Sequence, residues 1–207
     1  MIQSPYFQQV TATIRSGTAP AARSKEALLP VRIRKANGFA LLDLLFVIGI
    51  IGILASIATP RLLAARQSAG AASAIGSLRS IASAQLTFAL TCGGGFYAPS
   101  LKALGVAPIG SDIPFLSQNL TGGAIVTRGG YLIQLEAAAY PQAPTSCNGL
   151  AIGETGQAYK AGADPADVNN NFRYFAINAN GSIFEDTVSL YKDMPEVGDP
   201  ASGHVLQ

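Results

Sequence analysis

From Phe39 to Pro60 the chain is apolar at almost every position, and Asp43 is the one charged residue in the run. These 22 residues are enough to cross a bilayer as a helix, which takes roughly 20. From Arg61 to Thr91 the helix-favouring composition continues, but polarity becomes periodic. Ala71, Ala74, Leu78, Ile81 and Phe88 recur at spacings that suit one helical face, with Gln85 as an interruption. Arg66, Ser73, Arg79 and Thr87 take polar positions. Read as one element, Phe39 to Thr91 is a helix of 53 residues, roughly 80 Å long. A helix that is apolar all round and then apolar on one side is expected to leave lipid midway and dock on its own domain. Gly49, Gly52 and Pro60 lower helical propensity in the apolar half, and Pro60 predicts a kink. The run Cys92-Gly93-Gly94-Gly95 ends the helix. It lacks the Lys-Ser/Thr ending of a phosphate loop, and no strand precedes it.

Beyond the helix the pattern shortens. Phe96 to about Gln118 reads as loop around Pro99, Pro108 and Pro114, with one helical turn at Ser100 to Leu104. Ala124 to Thr127 and Tyr131 to Ala137 read as a hairpin turning at Arg128-Gly129-Gly130. Phe172 to Ile177 and Ser182 to Asp186 form a second hairpin, whose turn Asn178-Ala179-Asn180-Gly181 ends in a favoured Asn-Gly pair. Pro141 to Asp167 reads as a long surface loop, and the tail after Val188 has little periodicity. The expectation is α+β: a long N-terminal helix whose outer half covers an antiparallel meander of about four strands.

Charge divides the chain. Up to Gly38 there are six basic residues and one acid, a net +5; after Gly38 there are eight basic residues and eleven acids, a net −3. The formal +2 of the whole therefore belongs to residues 1–38, read as a cytoplasmic leader. Without it the chain is mildly acidic, which gives no basic surface for nucleic acid. Charged residues make up 13%, about half the usual share. One histidine, His204, excludes a His cluster and gives little basis for a catalytic triad. The two cysteines, Cys92 and Cys147, lie downstream of the span and suggest a disulfide in an oxidising compartment, the alternative being two buried thiols. Asp164 and Asp167, with Asn169, Asn170 and Asn171, offer oxygens to calcium, though the spacing is not that of an EF-hand and a solvated loop is the plainer reading. Glu185, Asp186, Asp193, Glu196 and Asp199 read as a solvated acidic tail. Asn119-Leu120-Thr121 and Asn180-Gly181-Ser182 match glycosylation acceptors, the second already explained by its turn.

The segment Gly38-Phe39-Ala40-Leu41-Leu42-Asp43-Leu44-Leu45, continuing to Ala58-Thr59-Pro60-Arg61-Leu62, resembles the N-terminus of type IV pilins and type II secretion pseudopilins. The likeness covers about a quarter of the chain and rests on Gly, Phe, an acid and Pro at the family's intervals. It implies that a prepilin peptidase cuts between Gly38 and Phe39 and methylates the new amine of Phe39. It implies further that Asp43 compensates that amine on a neighbouring subunit and that Pro60 belongs to the assembly helix. The partners implied are copies of the chain in a helical filament, the peptidase, the inner-membrane pilus or secretion machinery, and membrane lipid before assembly. No cofactor, metal or catalytic residue is implied. Asp43 stands where the family usually has Glu, which shortens the reach by one methylene. Ala40 replaces a common Thr, and Ala36 and Asn37 separate Lys35 from Gly38. The division expected is leader 1–38, membrane and filament-core helix 39–60, amphipathic helix 61–91 and β-rich head 92–207.

Four roles stay open on this reading: type IV pilin, pseudopilin, minor pilin, and a secreted or membrane-anchored binding domain. The major pseudopilins usually carry a Trp-containing segment in the head, and this chain has no Trp. Ordinary secretion with cleavage after Ser56-Ile57-Ala58 fits less well. The apolar run is long for a signal peptide, contains Asp43 and continues into an amphipathic helix.

Overall fold

The computed structural model describes residues 39–169 and 171–206, with Phe39 and Ala40 as backbone only. The expected leader 1–38 lies outside the described residues. The chain divides into two units at Val47 and Ile48; the first is described only through the opening of helix α1, and the second holds the remainder.

Helix α1 runs Phe39–Thr91, the bounds expected from the polarity pattern. It continues as one element through Pro60, where a kink was expected. Thr59 Oγ1 donates to Ala55 O at 2.6 Å and Ser56 Oγ to Ile53 O at 2.8 Å in the turns before the proline, whereas the carbonyl that loses its helical N–H partner to Pro60 is that of Ser56. The helix ends where Cys92 N and Gly93 N both donate to Phe88 O and Gly95 N donates to Ala89 O. Gly94 has φ +60, the left-handed conformation that closes a helix without steric cost only for glycine. Helix α2, Leu101–Leu104, begins at Ser100, whose Oγ accepts from Ala103 N.

The sheet has six strands rather than four: β1 Ile125–Arg128, β2 Tyr131–Glu136, β3 Lys160–Pro165, β4 Tyr174–Asn178, β5 Ile183–Asp186 and β6 His204–Val205. They lie in sequence order with every neighbour antiparallel. The β1–β2 turn is the two-residue Gly129-Gly130, both at positive φ, because Arg128 already pairs with Tyr131. Strand β3 overturns the surface-loop reading of Pro141 to Asp167. It lies between β2 and β4, with Ala161, Gly162, Ala163 and Pro165 buried.

One face of this sheet packs on α1. Ala71, Ala74, Leu78, Ile81 and Phe88 bury against Tyr131, Ile133, Leu135, Ala161, Ala163, Phe175 and Ile177. Each large side chain taken fully from water there contributes about 1.5–3 kcal/mol. Gln85 is no interruption: it is fully buried in this core. Its Nε2 donates to Ala98 O at 2.8 Å, and its Oε1 accepts from Ala98 N at 2.9 Å.

The other face is covered by the tail. Leu190 and Met194 pack with Ala176 and Phe184, and Tyr191 lies over Gly162. Asn178 Nδ2 donates to Pro195 O at 3.0 Å and to Gly198 O at 2.6 Å. Glu196 and Glu185 are therefore not the free surface acids expected. Glu196 Oε1 accepts from Ala138 N at 2.5 Å, and Glu185 forms a two-bond fork with Arg173 at 2.5 and 2.7 Å.

Candidate functional site

The sequence places its chemistry along a helix surface rather than in a cleft. From Leu41 to Leu63 the large apolar side chains of α1 are exposed, with no part of the membrane-length window buried. This is the one described helix long and apolar enough to cross a membrane. Asp43 is exposed on it. Gly49 and Gly52 have nothing within 4 Å of where a Cβ would stand, so neither serves a contact within the chain.

Asp43 lies in the first unit of the chain and Pro60 in the second, both within the bounds of α1. Gly38 lies outside the described residues, as does the side chain of Phe39. Cys92 and Cys147 are joined, with Cα atoms 4.9 Å apart and a sequence separation of 55. The bond ties the end of α1 to the loop before β3, and Cys147 N donates to Cys92 O beside it. Asn148 extends the tie: its Nδ2 donates to Ala103 O at 2.8 Å, and its Oδ1 accepts from Ser146 Oγ.

Of the oxygen-rich segment suggested for calcium, Asn170 lies outside the described residues. Asp164 lies in β3 and accepts from Ser189 Oγ at 2.6 Å, whereas Asp167 accepts from the Asn169 backbone and side chain. Among the described residues, no three His, Cys, Asp or Glu side chains meet as a metal-binding group. Burial raises the Asp164 carboxyl above its ordinary value, with Ser189 opposing. Burial also pushes the Tyr131, Tyr159 and Tyr191 phenols up to about 12. The hydrogen bond from Arg173 holds Glu185 below its ordinary value.

Two features were not anticipated. Where α1 leaves the apolar run, Leu63, Arg66 and Gln67 face Gly129, Gly130 and Asn171 across a cavity of about 310 Å³. The approach is close: a Cβ on Gly70 would stand 2.7 Å from Gly129 O. The only trace in the sequence is the Arg-Gly-Gly turn, which predicts a hairpin but not what the hairpin meets. The second feature is the covering tail, whose Leu190 and Met194 show no strand or helix period. Comparison with protein-family models, curated proteins and solved structures gives no match to this chain.

Proposed function

We propose that the chain is a structural subunit of an extracellular type IV pilus, cut by a prepilin peptidase after Gly38, methylated at Phe39 and polymerised through α1. It waits in the inner membrane by the 39–60 segment, and assembly machinery then moves it into a helical filament of identical copies. Its part is mechanical rather than catalytic. One observation carries this reading: within helix α1, an exposed apolar half bearing Asp43 passes into a half docked on a sheet. A helix built this way needs lipid or its own kind around its first half. In such a bundle the Asp43 carboxylate would meet the freed amine of Phe39 on a neighbour. Neither charge would then be buried without a partner.

The test is the mass of the exported chain, together with imaging of sheared surface fibres. N-methyl-Phe39 in fibres of this protein is expected. A mature chain beginning at Thr59 would assign ordinary secretion, and an uncut, solitary chain would assign a membrane-anchored domain. In the Asp43→Ala variant, cleavage should persist while fibre number falls sharply. Normal fibres from that variant would remove the role given to Asp43.

A further inference from the structure

The head carries charge of opposite sign on its two sides, and part of each set is left unpaired. On the α1 side, two shallow grooves meet at Ser80. One, of about 250 Å³, lies between Ser73, Ser77 and Ser80 of α1 and Arg128 at the end of β1. The other, of about 520 Å³, runs along Arg79, Ser80 and Thr87 to Phe115 and Ser117. Each lining holds one arginine and no acid. Arg79 and Arg128 are exposed, and neither belongs to the two ion pairs found among the described residues, Lys160–Glu136 and Arg173–Glu185. Ser77, Ser80 and Thr87 donate their hydroxyl hydrogens to helix carbonyls, each at 2.8 Å. The charged donors left facing solvent are therefore the two guanidinium groups, which suit carboxylates.

The complement stands on the other face of the sheet. The covering tail, residues 187–203, sets Lys192 against Asp193, Glu196 and Asp199, one basic residue against three acids and a net −2. Glu196 is engaged with Ala138 N, but Asp193 and Asp199 are exposed and lie outside both ion pairs. Val197 between them is 62% exposed. This tail lies over β3, β4 and β5, whereas the grooves lie on the helix side beside the edge strand β1. The two surfaces of one copy therefore face away from each other. We propose that the Asp193–Asp199 segment of one copy seats on the Arg79 and Arg128 grooves of a second copy. Such a joint pairs unlike surfaces, so every added copy leaves one of each open, and the contact propagates instead of closing as a twofold dimer. Exposed ion pairs add little affinity singly and act mainly by selecting partner and register. A nucleic acid or a free anion would also suit two arginines, but it would leave the acidic tail unmatched; two matched surfaces on one chain favour a second copy. The inference rests on the proposed filament and names the head surfaces that meet in it.

The test counts sheared surface fibres from cells making the full chain. Arg79→Glu with Arg128→Glu turns the grooves acidic, and Asp193→Lys with Asp199→Lys turns the tail basic. Each reversal sets like charges together and should cut fibre number by about tenfold or more. The two altered chains made in one cell, each offering the surface that the other lacks, should restore fibres, as should all four changes in one chain. Thermal melts and the mass of the processed chain should match the parent throughout. Where a reversal disturbs the melt, Arg79→Gln with Arg128→Gln replaces it and should lower fibre number about threefold. Normal fibres from either reversal, or losses with no rescue in the mixture and the combined chain, overturn the pairing and leave the filament standing. Loss from the groove reversal alone assigns the grooves to another anion, nucleic acid included. No fibres from the parent remove the filament reading and this inference with it.

Discussion

Replacing Gln85 by leucine separates the effect of hydrophobic burial from that of hydrogen-bond satisfaction. Gln85 is fully buried and holds both main-chain groups of Ala98, thirteen residues away, at 2.8 and 2.9 Å. The next residue, Tyr97, exchanges both of its own main-chain bonds with Gly156, so the 97–98 segment is pinned on two sides. Leucine has a similar volume, and burying it in place of an amide gains about 1–2 kcal/mol. It also leaves the Ala98 N–H and C=O buried without partners, at about 1–3 kcal/mol each. The net expectation for Gln85→Leu is a loss of about 1–4 kcal/mol, although the change makes the core more apolar. At a urea slope of about 2 kcal/mol per molar, the unfolding midpoint should fall by about 0.5–2 M. Circular dichroism of the detergent-solubilised chain reads this directly, and faster hydrogen exchange at the Ala98 amide locates the effect. Gln85→Glu keeps the acceptor, loses the donor and buries a charge, so it should be at least as damaging. A Gln85→Leu variant as stable as the parent, or more so, would show that the apolar face governs this position and that the bonds to Ala98 contribute nothing net.

Three further outcomes follow from the fold. Removing the Cys92–Cys147 bond by a double alanine variant should lower stability by about 4 kcal/mol on the chain-entropy account for a loop of this length; an unchanged urea midpoint would contradict it. Gly162→Ala places a Cβ 2.8 Å from the Tyr191 Cβ, so it should cost about 1–3 kcal/mol and expose the tail to limited proteolysis; an unaltered digestion pattern would mean that the tail is not seated on β3. Two carboxyls should show opposite pH signatures. Glu185 is lowered by Arg173, so its stabilisation is present above its unfolded value of 4.5 and is lost as pH falls through its folded value. Asp164 is raised by burial, so its contribution is present below 3.8 and is lost as pH rises through its folded value. Thermal melts should therefore find Asp164→Asn more stable than the parent at pH 7 and level with it at pH 3; a constant gap would refute the burial argument.

The parts legible in the sequence are those in which local chemistry and tertiary context agree. The α1 bounds follow from composition at one end and three glycines at the other. Both hairpins follow from turns whose glycines adopt positive φ. Strand β3 could not be read because Lys160-Ala-Gly-Ala-Asp-Pro contains no β-branched or aromatic residue. It is a strand because β2 and β4 supply ladders on both sides. Its small residues reflect contacts distant in sequence: Ala161 and Ala163 lie in the core that α1 enters, and Gly162 lies beneath Tyr191. Gln85 misled for a related reason, since polarity at a core position marks a specific partner as readily as an exposed face. At the candidate site, the cysteine pair could be read from count and compartment. The Arg66 cavity could not, because its opposite wall comes from a turn more than sixty residues later.

The exposed half of α1 also constrains how assembly could be driven. Fourteen Leu, Ile, Val and Phe side chains between Leu41 and Leu63 are 43–73% exposed. Burying what remains of them is worth roughly 10–20 kcal/mol. That equals or exceeds the net stability of an ordinary domain, about 5–15 kcal/mol, so the helix has no stable existence bare in water. Lipid and a bundle of identical helices cover the same side chains, and hydrocarbon is as apolar as leucine. If the chain passes from membrane to filament as proposed, hydrophobic burial therefore largely cancels between the two states, and it cannot choose between them. On the pilin reading, the choice falls to directional terms: the Asp43 carboxylate with a neighbour's amine, close helix approach at Gly49 and Gly52, contacts between heads, and work supplied by the machinery.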